Sequence, residues 1–313
     1  MANIVIFGGL GYVGGRATNH LYKMGHNVVS VSREGKNHLS EESQGILIET
    51  VEWDNESRLL SLCARADCIV HLAGLGRAES SISPNEAIRV NCVNTYNLLK
   101  AAIKAKVPRF IFMSTAHVYG RSLIGNVSER TLPNPLDAYG ITKRTAEDFV
   151  FAASKAGQIE GVIIRLSNSF GRPMTESESS WSLLVNNLCI QAVTKNDLLL
   201  NSSGAQFCNF ISLEDVCNAL QHFVETDYSQ LGDGLFNLGG KTMSVLQMAE
   251  LVSSRAANVL SKNLLINRIN TSLEKKPTKF NYGLKKIQAA GFKGKLDFSS
   301  EIDKALKFFL HRL

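Results

Sequence analysis

Short apolar runs alternate with amphipathic stretches along this chain of 313 residues. Each run is typical of a buried β-strand. The runs lie at 4–7, 27–32, 46–49, 68–73, 109–114 and 161–165. The stretches between them carry apolar residues at helical spacing, and longer helices are predicted at about 84–104 and 137–156. Strands that alternate with helices predict an α/β fold built on a parallel, doubly wound sheet.

The alternation weakens beyond residue 168. Residues 172–181 are polar and predict a loop near a substrate. A strand at 207–213, a helix at 215–226 and a last helix at about 299–311 follow. The length fits one large domain, or a large domain with a smaller partner.

The first predicted strand leads into a glycine-rich turn and then into a helix. The glycines fit two registers, Gly9-x-Gly11-x-x-Gly14 and Gly8-x-x-Gly11-x-x-Gly14. A strand, a glycine turn and a helix N-terminus in this order form the usual site for a dinucleotide pyrophosphate. The turn lets the backbone approach the phosphates, and the first helical N–H groups bind them. The cofactor residues predicted at this turn are Gly8, Gly11, Tyr12 and Val13.

The residues after the second predicted strand favour NADP(H), with NAD(H) as the alternative. An acid usually lies there and accepts the ribose hydroxyls of NAD, whereas this chain has Ser32 and Arg33. A serine adds no repulsion, and the Arg33 guanidinium could pair with a 2′-phosphate. Glu34 could instead turn inward and restore a preference for NAD. Asp54 could accept the adenine amino group or, alternatively, cap a helix.

A tyrosine four residues before a lysine places both side chains on one helical face. The ammonium favours phenolate, so we expect the tyrosine pKa to fall and the phenol to exchange protons near neutrality. The spacing occurs at Tyr96/Lys100, Tyr139/Lys143 and Tyr282/Lys286. Only Tyr139 follows a strand that ends in Ser114-Thr115, whose hydroxyls could bond a substrate oxygen. We therefore predict Tyr139 and Lys143 as the catalytic pair.

Two histidines lie near these segments. His117 is either a proton donor beside Thr115 or a polar loop histidine without a catalytic duty. His71, at the end of a predicted strand, is expected to be packed or to cap a neighbour.

The net charge of +6 is unevenly distributed. Residues 255–313 contain thirteen Lys or Arg and four Asp or Glu, a charge of +9, so residues 1–254 sum to −3. The lysines are dispersed and no nucleic-acid module surrounds them. We interpret this part as a solvated basic face, or alternatively as a means of attracting an anionic substrate.

Composition points to a cytoplasmic protein. The six cysteines include no Cys-x-x-Cys pair and are expected to be reduced. No apolar run approaches the ~20 residues of a membrane span, no leader precedes the first strand, and no metal-ligand spacing is present.

Further motifs make the sequence resemble the extended short-chain dehydrogenase/reductase family of NAD(P)-dependent sugar-nucleotide epimerases, dehydratases and reductases. They follow the glycine turn in order. They are His71-Leu72-Ala73-Gly74, Asn91, Ser114-Thr115-Ala116-His117-Val118-Tyr119-Gly120, Tyr139-Gly140-Ile141-Thr142-Lys143, Arg165-Leu166-Ser167-Asn168-Ser169-Phe170-Gly171, Asn209-Phe210-Ile211-Ser212-Leu213-Glu214-Asp215-Val216 and Phe236-Asn237-Leu238-Gly239-Gly240.

The resemblance implies a domain division and a partner. An NAD(P)-binding Rossmann domain would comprise 1–165 and about 205–235, and a smaller substrate-binding α/β domain about 166–204 and 236–313. Members commonly form homodimers through the two long helices, here 84–104 and 137–156.

The resemblance also implies roles for individual residues. Thr115 would orient the sugar oxygen, Tyr139 would be the acid/base, and Lys143 would hold the nicotinamide ribose and tune Tyr139. Thr115, His117 and Asn168 would contact the substrate. The cofactor contacts would be Gly8, Gly11, Tyr12, Val13, Ser32, Arg33, Asp54, Leu72, Ala73, Gly74, Asn91, Tyr139 and Lys143.

Departures from the family pattern sharpen the expected function. Family dehydratases have Asp-Glu where this chain has Ala116-His117, which counts against dehydration. Many members have an arginine that grips the nucleotide diphosphate where this chain has Cys208, so the grip comes from elsewhere or the substrate is not a typical sugar nucleotide. With Ser32 in place of the NAD-selecting acid, we expect an NADPH-dependent keto-sugar reductase. The alternatives are an NAD-dependent 4-epimerase and a non-catalytic NAD(P)-binding sensor.

Overall fold

A computed structural model describes residues 1–33, 45–120, 123–174, 178–269 and 278–313. The strands in these ranges are β1 (Asn3–Phe7), β2 (Asn27–Ser32), β3 (Leu47–Thr50), β4 (Cys68–His71), β5 (Arg109–Thr115), β6 (Gly125–Val127), β7 (Glu160–Leu166), β8 (Asn168–Phe170), β9 (Asp197–Leu200), β10 (Phe207–Ser212), β11 (Leu235–Leu238), β12 (Lys241–Ser244), β13 (Leu265–Arg268) and β14 (Phe280–Tyr282). The α-helices are α1 (Tyr12–Lys23), α2 (Glu56–Cys63), α3 (Arg77–Ile82), α4 (Pro84–Ala87), α5 (Asn94–Lys104), α6 (Ala138–Lys155), α7 (Glu178–Trp181), α8 (Leu184–Thr194), α9 (Leu213–Glu225), α10 (Val245–Leu260), α11 (Lys285–Ala289) and α12 (Phe298–Leu310). None of these helices is both long enough and apolar enough to cross a membrane.

Seven parallel strands form the central sheet, in the order β11-β7-β5-β4-β1-β2-β3. Successive side chains of a strand point to opposite faces, so β1 supplies both layers of the core. Ile4 and Ile6 pack in a cluster with residues of α1 and α9. Val5 and Phe7 pack in a second cluster with residues of α2, α5 and α6. The prediction of a doubly wound parallel sheet is confirmed.

The remaining strands form smaller sheets. β10 pairs with β8 in parallel and with β12 antiparallel, and apolar residues of α8, α10 and α12 form a separate core cluster. The resemblance implied that the strand near 205–213 belongs to the cofactor half, but its pairing places it in this smaller sheet. β11 is the segment that joins the central sheet. The rest of the domain division stays a prediction.

The predicted helix at 84–104 is interrupted by a π-helical segment. It runs as α4, then a π-helix at Ile88–Val93, then α5. A π-turn changes which side chains face inward and is frequent at functional sites. Here it carries the fully buried Asn91.

A buried ion pair joins α1 to the last helix. Arg16 Nη1 donates to Glu301 Oε1 at 2.7 Å, and Glu301 is fully buried. The same carboxylate oxygen accepts from the Arg172 backbone N–H at 3.2 Å. Tyr12 reinforces this connection, because its hydroxyl donates to the Gly171 carbonyl at 3.1 Å. The helix that follows the glycine turn is thereby held against the carboxyl-terminal part of the fold.

Candidate active site

A cavity of about 510 Å³ lies at the carboxyl edge of the central sheet. Parallel strands end at the same edge, so the segments after β1, β2, β4, β5 and β7 meet there. One side of the cavity is formed by the segments after β1, β2, β4 and β5 together with α6, and we call it the cofactor wall. The opposite side is formed by lining residues between 166 and 210, and we call it the substrate wall.

The glycine turn of the cofactor wall has no room for side chains. Gly8 has φ +84°, and a Cβ there would lie 2.6 Å from the Ala73 nitrogen. A Cβ on Gly14 would overlap the Gly8 carbonyl oxygen. No side chain caps the start of α1, so its first N–H groups can bind a ligand phosphate. The turn therefore fits a dinucleotide pyrophosphate, and the register with Gly8, Gly11 and Gly14 is the one that lines the cavity.

Of the two residues at the end of β2, only one lines the cavity. Arg33 is exposed and lines the cavity, whereas Ser32 does not line it. Glu34, the rival determinant, lies outside the described residues. Arg33 also acts on a residue that does not line the cavity. The pKa of Glu86 is lowered by the bidentate hydrogen bond from Arg89, and the charge of Arg33 lowers it further.

Asp54 lies away from the cavity. It is exposed among residues 52–57, between β3 and α2. The alternative that it caps a helix is wrong, because Asn55 is the N-cap and accepts from the Arg58 backbone N–H at 3.0 Å. The charge of Asp54 acts instead on Arg89.

Thr115, Tyr139 and Lys143 meet in the middle of the cavity. Thr115 ends β5, and Asp137 caps α6 by accepting from the Gly140 backbone N–H, which places Tyr139 in the first turn. The Thr115 hydroxyl is hydrogen-bonded to Tyr139. Lys143 is buried and donates to the Met113 carbonyl at 3.0 Å. The three predicted catalytic residues are therefore brought together.

The expected direction of the Tyr139 pKa is wrong for this structure. Burial raises the pKa of the phenol, and the hydrogen bond from Thr115 only partly opposes this increase. The ammonium of Lys143 is directed to the Met113 carbonyl and lies 4.8 Å from the centre of the Phe112 ring. Burial also lowers the pKa of Lys143 to about 8, while the charge of Glu147 opposes that shift.

Glu147, one turn beyond Lys143, is a site neighbour that sequence reasoning missed. It is buried and accepts from Ser114 Oγ, while Arg165 Nη2 donates to it at 2.7 Å. Arg165 also donates to the Tyr119 hydroxyl at 2.9 Å. The spacing of Lys143 and Glu147 on one helical face was a signal for their proximity, but the partner on β7 is distant in sequence.

His117 lies beside the catalytic tyrosine. Its ring lines the cavity and meets Tyr139 edge-on, with ring centroids 5.8 Å apart. Its backbone N–H donates to Thr115 Oγ1 at 3.2 Å. This position is compatible with substrate contact, and the choice between proton donor and bystander stays open.

The other two tyrosine–lysine pairs are used elsewhere. Tyr96 is half-exposed and packs against Phe149, with ring centroids 4.8 Å apart. Tyr282 is buried and donates to the Arg165 carbonyl at 2.8 Å. Neither tyrosine lines the cavity.

The segment after β4 is supported from behind by Asn91. Leu72 and Gly74 line the cavity, whereas Ala73 packs against the glycine turn. Asn91 does not line the cavity; its Oδ1 accepts from the Leu75 backbone N–H at 2.8 Å. The role of Asn91 as a direct cofactor contact stays a prediction.

His71 is a packed residue, as expected. Its Nε2 is 2.9 Å from the Thr95 hydroxyl, and burial lowers its pKa to about 3. It is fully buried and does not line the cavity.

The substrate wall is mostly apolar with small hydroxyl groups. Asn168 lines it, but its Nδ2 donates to the Asn209 carbonyl at 2.9 Å. Cys208 also lines it, and burial raises the pKa of its thiol. The other described residues of this wall are Leu166, Ser167, Ser169, Ser180, Leu183, Leu184, Val185 and Phe210. Among these described residues no cation is present.

Several lining residues were not predicted. The start of α8 enters the cavity, although the sequence analysis assigned no helix there; its apolar stretch at 183–193 was the available signal. Arg77 and Glu79 of α3 also line the cavity, and Arg77 is tied to Asp137 by a 2.9 Å ion pair. In the described part of the chain, no group of three potential ligands could hold a metal ion.

The fold and the cavity together define a Rossmann-type α/β protein whose glycine turn fits the pyrophosphate of a dinucleotide. The NAD dependent epimerase/dehydratase family matches residues 4–239, and the chain belongs to this family. The resemblance found in the sequence is thus confirmed.

Individual relatives agree with this assignment. UDP-glucuronic acid decarboxylase 1 of Danio rerio is 28% identical over 262 residues, which are 82% of this chain and 61% of that protein. The chain spans about three fifths of the length of the UDP-glucuronic acid decarboxylases that it matches.

Two solved structures are similar along their whole length. UDP-N-acetylglucosamine 4-epimerase from Methanobrevibacter ruminantium M1, in complex with UDP-N-acetylmuramic acid, superposes with a TM-score of 0.84 at 21% identity and covers 100% of this chain and 99% of its own. UDP-glucuronic acid 4-epimerase from Bacillus cereus, in complex with UDP-glucuronic acid and NAD, gives 0.79 at 21% identity, with coverage of 99% and 100%. At these identities the similarity establishes the fold.

Proposed function

We propose that the protein is an NAD(P)-dependent enzyme that oxidises and re-reduces a carbon of a sugar nucleotide, with 4-epimerisation as its net reaction. The observation that carries the proposal is the meeting of Thr115, Tyr139 and Lys143 in one cavity that also contains the open glycine turn. A protein that only sensed the cofactor would not need a buried acid/base group next to a hydroxyl donor.

Each residue has a physical task in this proposal. Tyr139 would accept the proton of the sugar hydroxyl as phenolate when the carbon is oxidised, and would return it to the ketone as the neutral phenol when the carbon is re-reduced. Burial favours the neutral, donating form. Thr115 orients the sugar oxygen beside Tyr139. Lys143 lies close to Gly74, where it can bind ribose hydroxyls. The bound nicotinamide would supply hydride transfer at its C4 atom.

Epimerisation replaces the reductase that the sequence analysis favoured as the leading activity. Two similar structures bear the names of 4-epimerases, and one of them was solved with NAD. Reduction of a keto sugar with NADPH remains the second candidate because Arg33 lines the cavity beyond β2, where a 2′-phosphate would lie. Ala116 and His117 stand where family dehydratases have Asp-Glu, which counts against dehydration.

The described lining residues of the substrate wall include no arginine, which suggests that the nucleotide diphosphate is bound there without a guanidinium. Cys208 lies where many family members have an arginine, and the start of α8, which no side chain caps, lines the same cavity. We propose that N–H groups and hydroxyls contribute the diphosphate contacts.

A homodimer and a cytoplasmic location belong to the same proposal. Large apolar side chains are exposed on the two long helical segments, which supports their burial in a dimer. They are Ile88, Val93, Tyr96, Ile141 and Phe149. All six cysteines are thiols in the structure, which supports a reducing compartment.

The activity is tested with purified protein, UDP-sugars and candidate 4-keto sugar nucleotides. Epimerisation predicts interconversion of the two C4 epimers, followed by NMR, with no net change in absorbance of the reduced cofactor. Stoichiometric loss of NADPH with a keto sugar would instead establish the reductase. Absence of both reactions across the panel would refute sugar-nucleotide chemistry.

A further inference from the structure

We propose that a second cavity, lined by α1, α9, the segment before α12 and the middle of α12, is a binding site for a phosphorylated small molecule. It has a volume of about 450 Å³ and shares no lining residue with the candidate active site. One wall is a single face of α1, where polar residues recur at helical spacing from Arg16 through His20 to Lys23. The opposite wall is a face of α9 that begins with Glu214.

The lining is strongly cationic. Five cations from four segments of the chain converge on this cavity, and they are Arg16, Lys23, Arg172, Lys295 and Lys304. Among the described lining residues Glu214 is the carboxylate that faces them. Glu301 does not line the cavity, but it pairs with Arg16 and lies 3.8 Å from Lys304, so the five cations are opposed by two carboxylates and a net positive charge remains. A concave surface lined by charges of one sign concentrates the opposite charge, so the expected ligand is a compact polyanion.

Two lysines show that the geometry can hold an anion. Lys295 Nζ and Lys304 Nζ donate to the two oxygens of Glu214, at 2.8 Å and 2.6 Å. An ammonium has three donors, so both lysines retain donors that can bind phosphate oxygens beside Glu214. The pair holds the pKa of Glu214 down at about 2.

Arg16 is held in the cavity wall by a buried partner. Its guanidinium donates to the fully buried Glu301, whose Oε2 lies 3.8 Å from Lys304 Nζ. A solvated basic face, the first interpretation of the carboxyl-terminal charge, requires neither a concave shape nor cations converging from separate segments. The cavity therefore gives part of the +9 charge of residues 255–313 a local binding role.

His20 provides a reporter inside this site. Its imidazole lines the cavity and its pKa is lowered, chiefly by burial and also by the charge of Arg16. A phosphate bound next to the ring should raise this pKa. His117 lines the active-site cavity and reports binding there. Histidine NMR signals therefore distinguish the two sites in one titration.

The test is a titration of the full-length protein with pyrophosphate, followed by the NMR signals of labelled histidines. The His20 signal, assigned with His20→Gln, should shift and its pKa should rise. Combined Lys295→Gln and Lys304→Gln should weaken this response about tenfold, a loss of about 1.4 kcal/mol. The control Lys104→Gln with Lys285→Gln removes the same charge at exposed positions and should leave it unchanged.

Because the double variant leaves Glu214 without its two lysines, a second variant tests the site with that cluster intact. Lys23→Gln should weaken the His20 response about threefold. A shift of His117 alone, or an equal affinity in the lysine variants and the control, would overturn the proposal. If the double variant does not fold, the Lys23→Gln result decides alone.

Discussion

The two walls of the active-site cavity are built on different principles. On the cofactor wall, reactive side chains are held by main-chain groups, as Lys143 is by the Met113 carbonyl. On the substrate wall, the described residues apart from Asn168 are apolar or carry small hydroxyls or a thiol, and the thiol of Cys208 takes the place of a family arginine. Residues that perform shared chemistry need a fixed geometry, whereas residues that choose a substrate can vary. The cofactor wall thus indicates the type of reaction, whereas the substrate wall carries the residues that distinguish this chain from other family members.

The largest effect is expected on the cofactor wall from Tyr139→Phe. Loss of the acid/base group should lower the turnover of the sugar nucleotide by about 10³-fold, while the dissociation constant of the cofactor stays within about twofold. Tyr96→Phe is the matched control, because Tyr96 has the same spacing to a lysine but lies outside the cavity. Turnover and fluorescence titrations measure both quantities. Retained activity in Tyr139→Phe would remove this phenol from the mechanism.

Lys143→Met should separate stability from activity. Burial lowers the Lys143 pKa from 10.5 to about 8, so between these pH values the unfolded chain binds more protons and the stability of the wild type rises with pH. Below pH 8 the buried charge destabilises the fold. We therefore expect Lys143→Met to raise the free energy of unfolding at pH 7 by about 2 kcal/mol, net of the lost hydrogen bond.

The check on Lys143 is urea denaturation at several pH values. The stabilisation should shrink as the pH rises from 8 to 10.5, and turnover should be lost throughout. Lys100→Met, at an exposed helical position, should show no such pH dependence. A stabilisation that is constant with pH would contradict the buried-charge argument.

On the substrate wall, Cys208→Arg should restore the missing cation. A guanidinium can form two hydrogen bonds to a diphosphate, so the dissociation constant for UDP should fall about tenfold. Cys208→Ser, which adds no charge, is the control, and calorimetry measures both. Unchanged affinity would mean that the diphosphate does not approach β10.

The smallest effect is expected from Arg33→Ala, at the far end of the cofactor wall. If Arg33 pairs with a 2′-phosphate, its loss should weaken NADP binding about fivefold and leave NAD binding unchanged. The NAD titration is the internal control. An equal loss of affinity for NAD and NADP would show that Arg33 does not bind the 2′-phosphate.

The central sheet and the catalytic cluster could be predicted because their signals are local. The run at 4–7 followed by Gly8 identifies a strand and its turn, and parallel strands bring their ends to one edge whatever their order. That geometry alone places Thr115 near the glycine turn. The pairing of β10 could not be predicted in this way, because the choice between two sheets depends on contacts far apart in sequence.

The spacing of Tyr139 and Lys143 predicted their proximity but not their protonation. The pKa of Tyr139 is raised by burial, which the helical spacing does not report, and the charge of Asp137 adds to this increase. Similarly, Asn91 lies behind the cavity in a π-helical segment that has no clear sequence signal. Long-range packing, rather than local pattern, decides these details.

The pairing of Arg16 with Glu301 has a consequence for how the protein is made. The two residues are 285 positions apart in the chain, and chains are synthesised at about 5–20 residues per second from the amino terminus. The glycine turn and α1 leave the ribosome early, yet Arg16 gains its carboxylate only after Glu301 has been synthesised. We therefore expect nascent chains that stop short of α12 to lack the carboxylate partner of Arg16, to expose the apolar residues that α12 covers, and to engage chaperones.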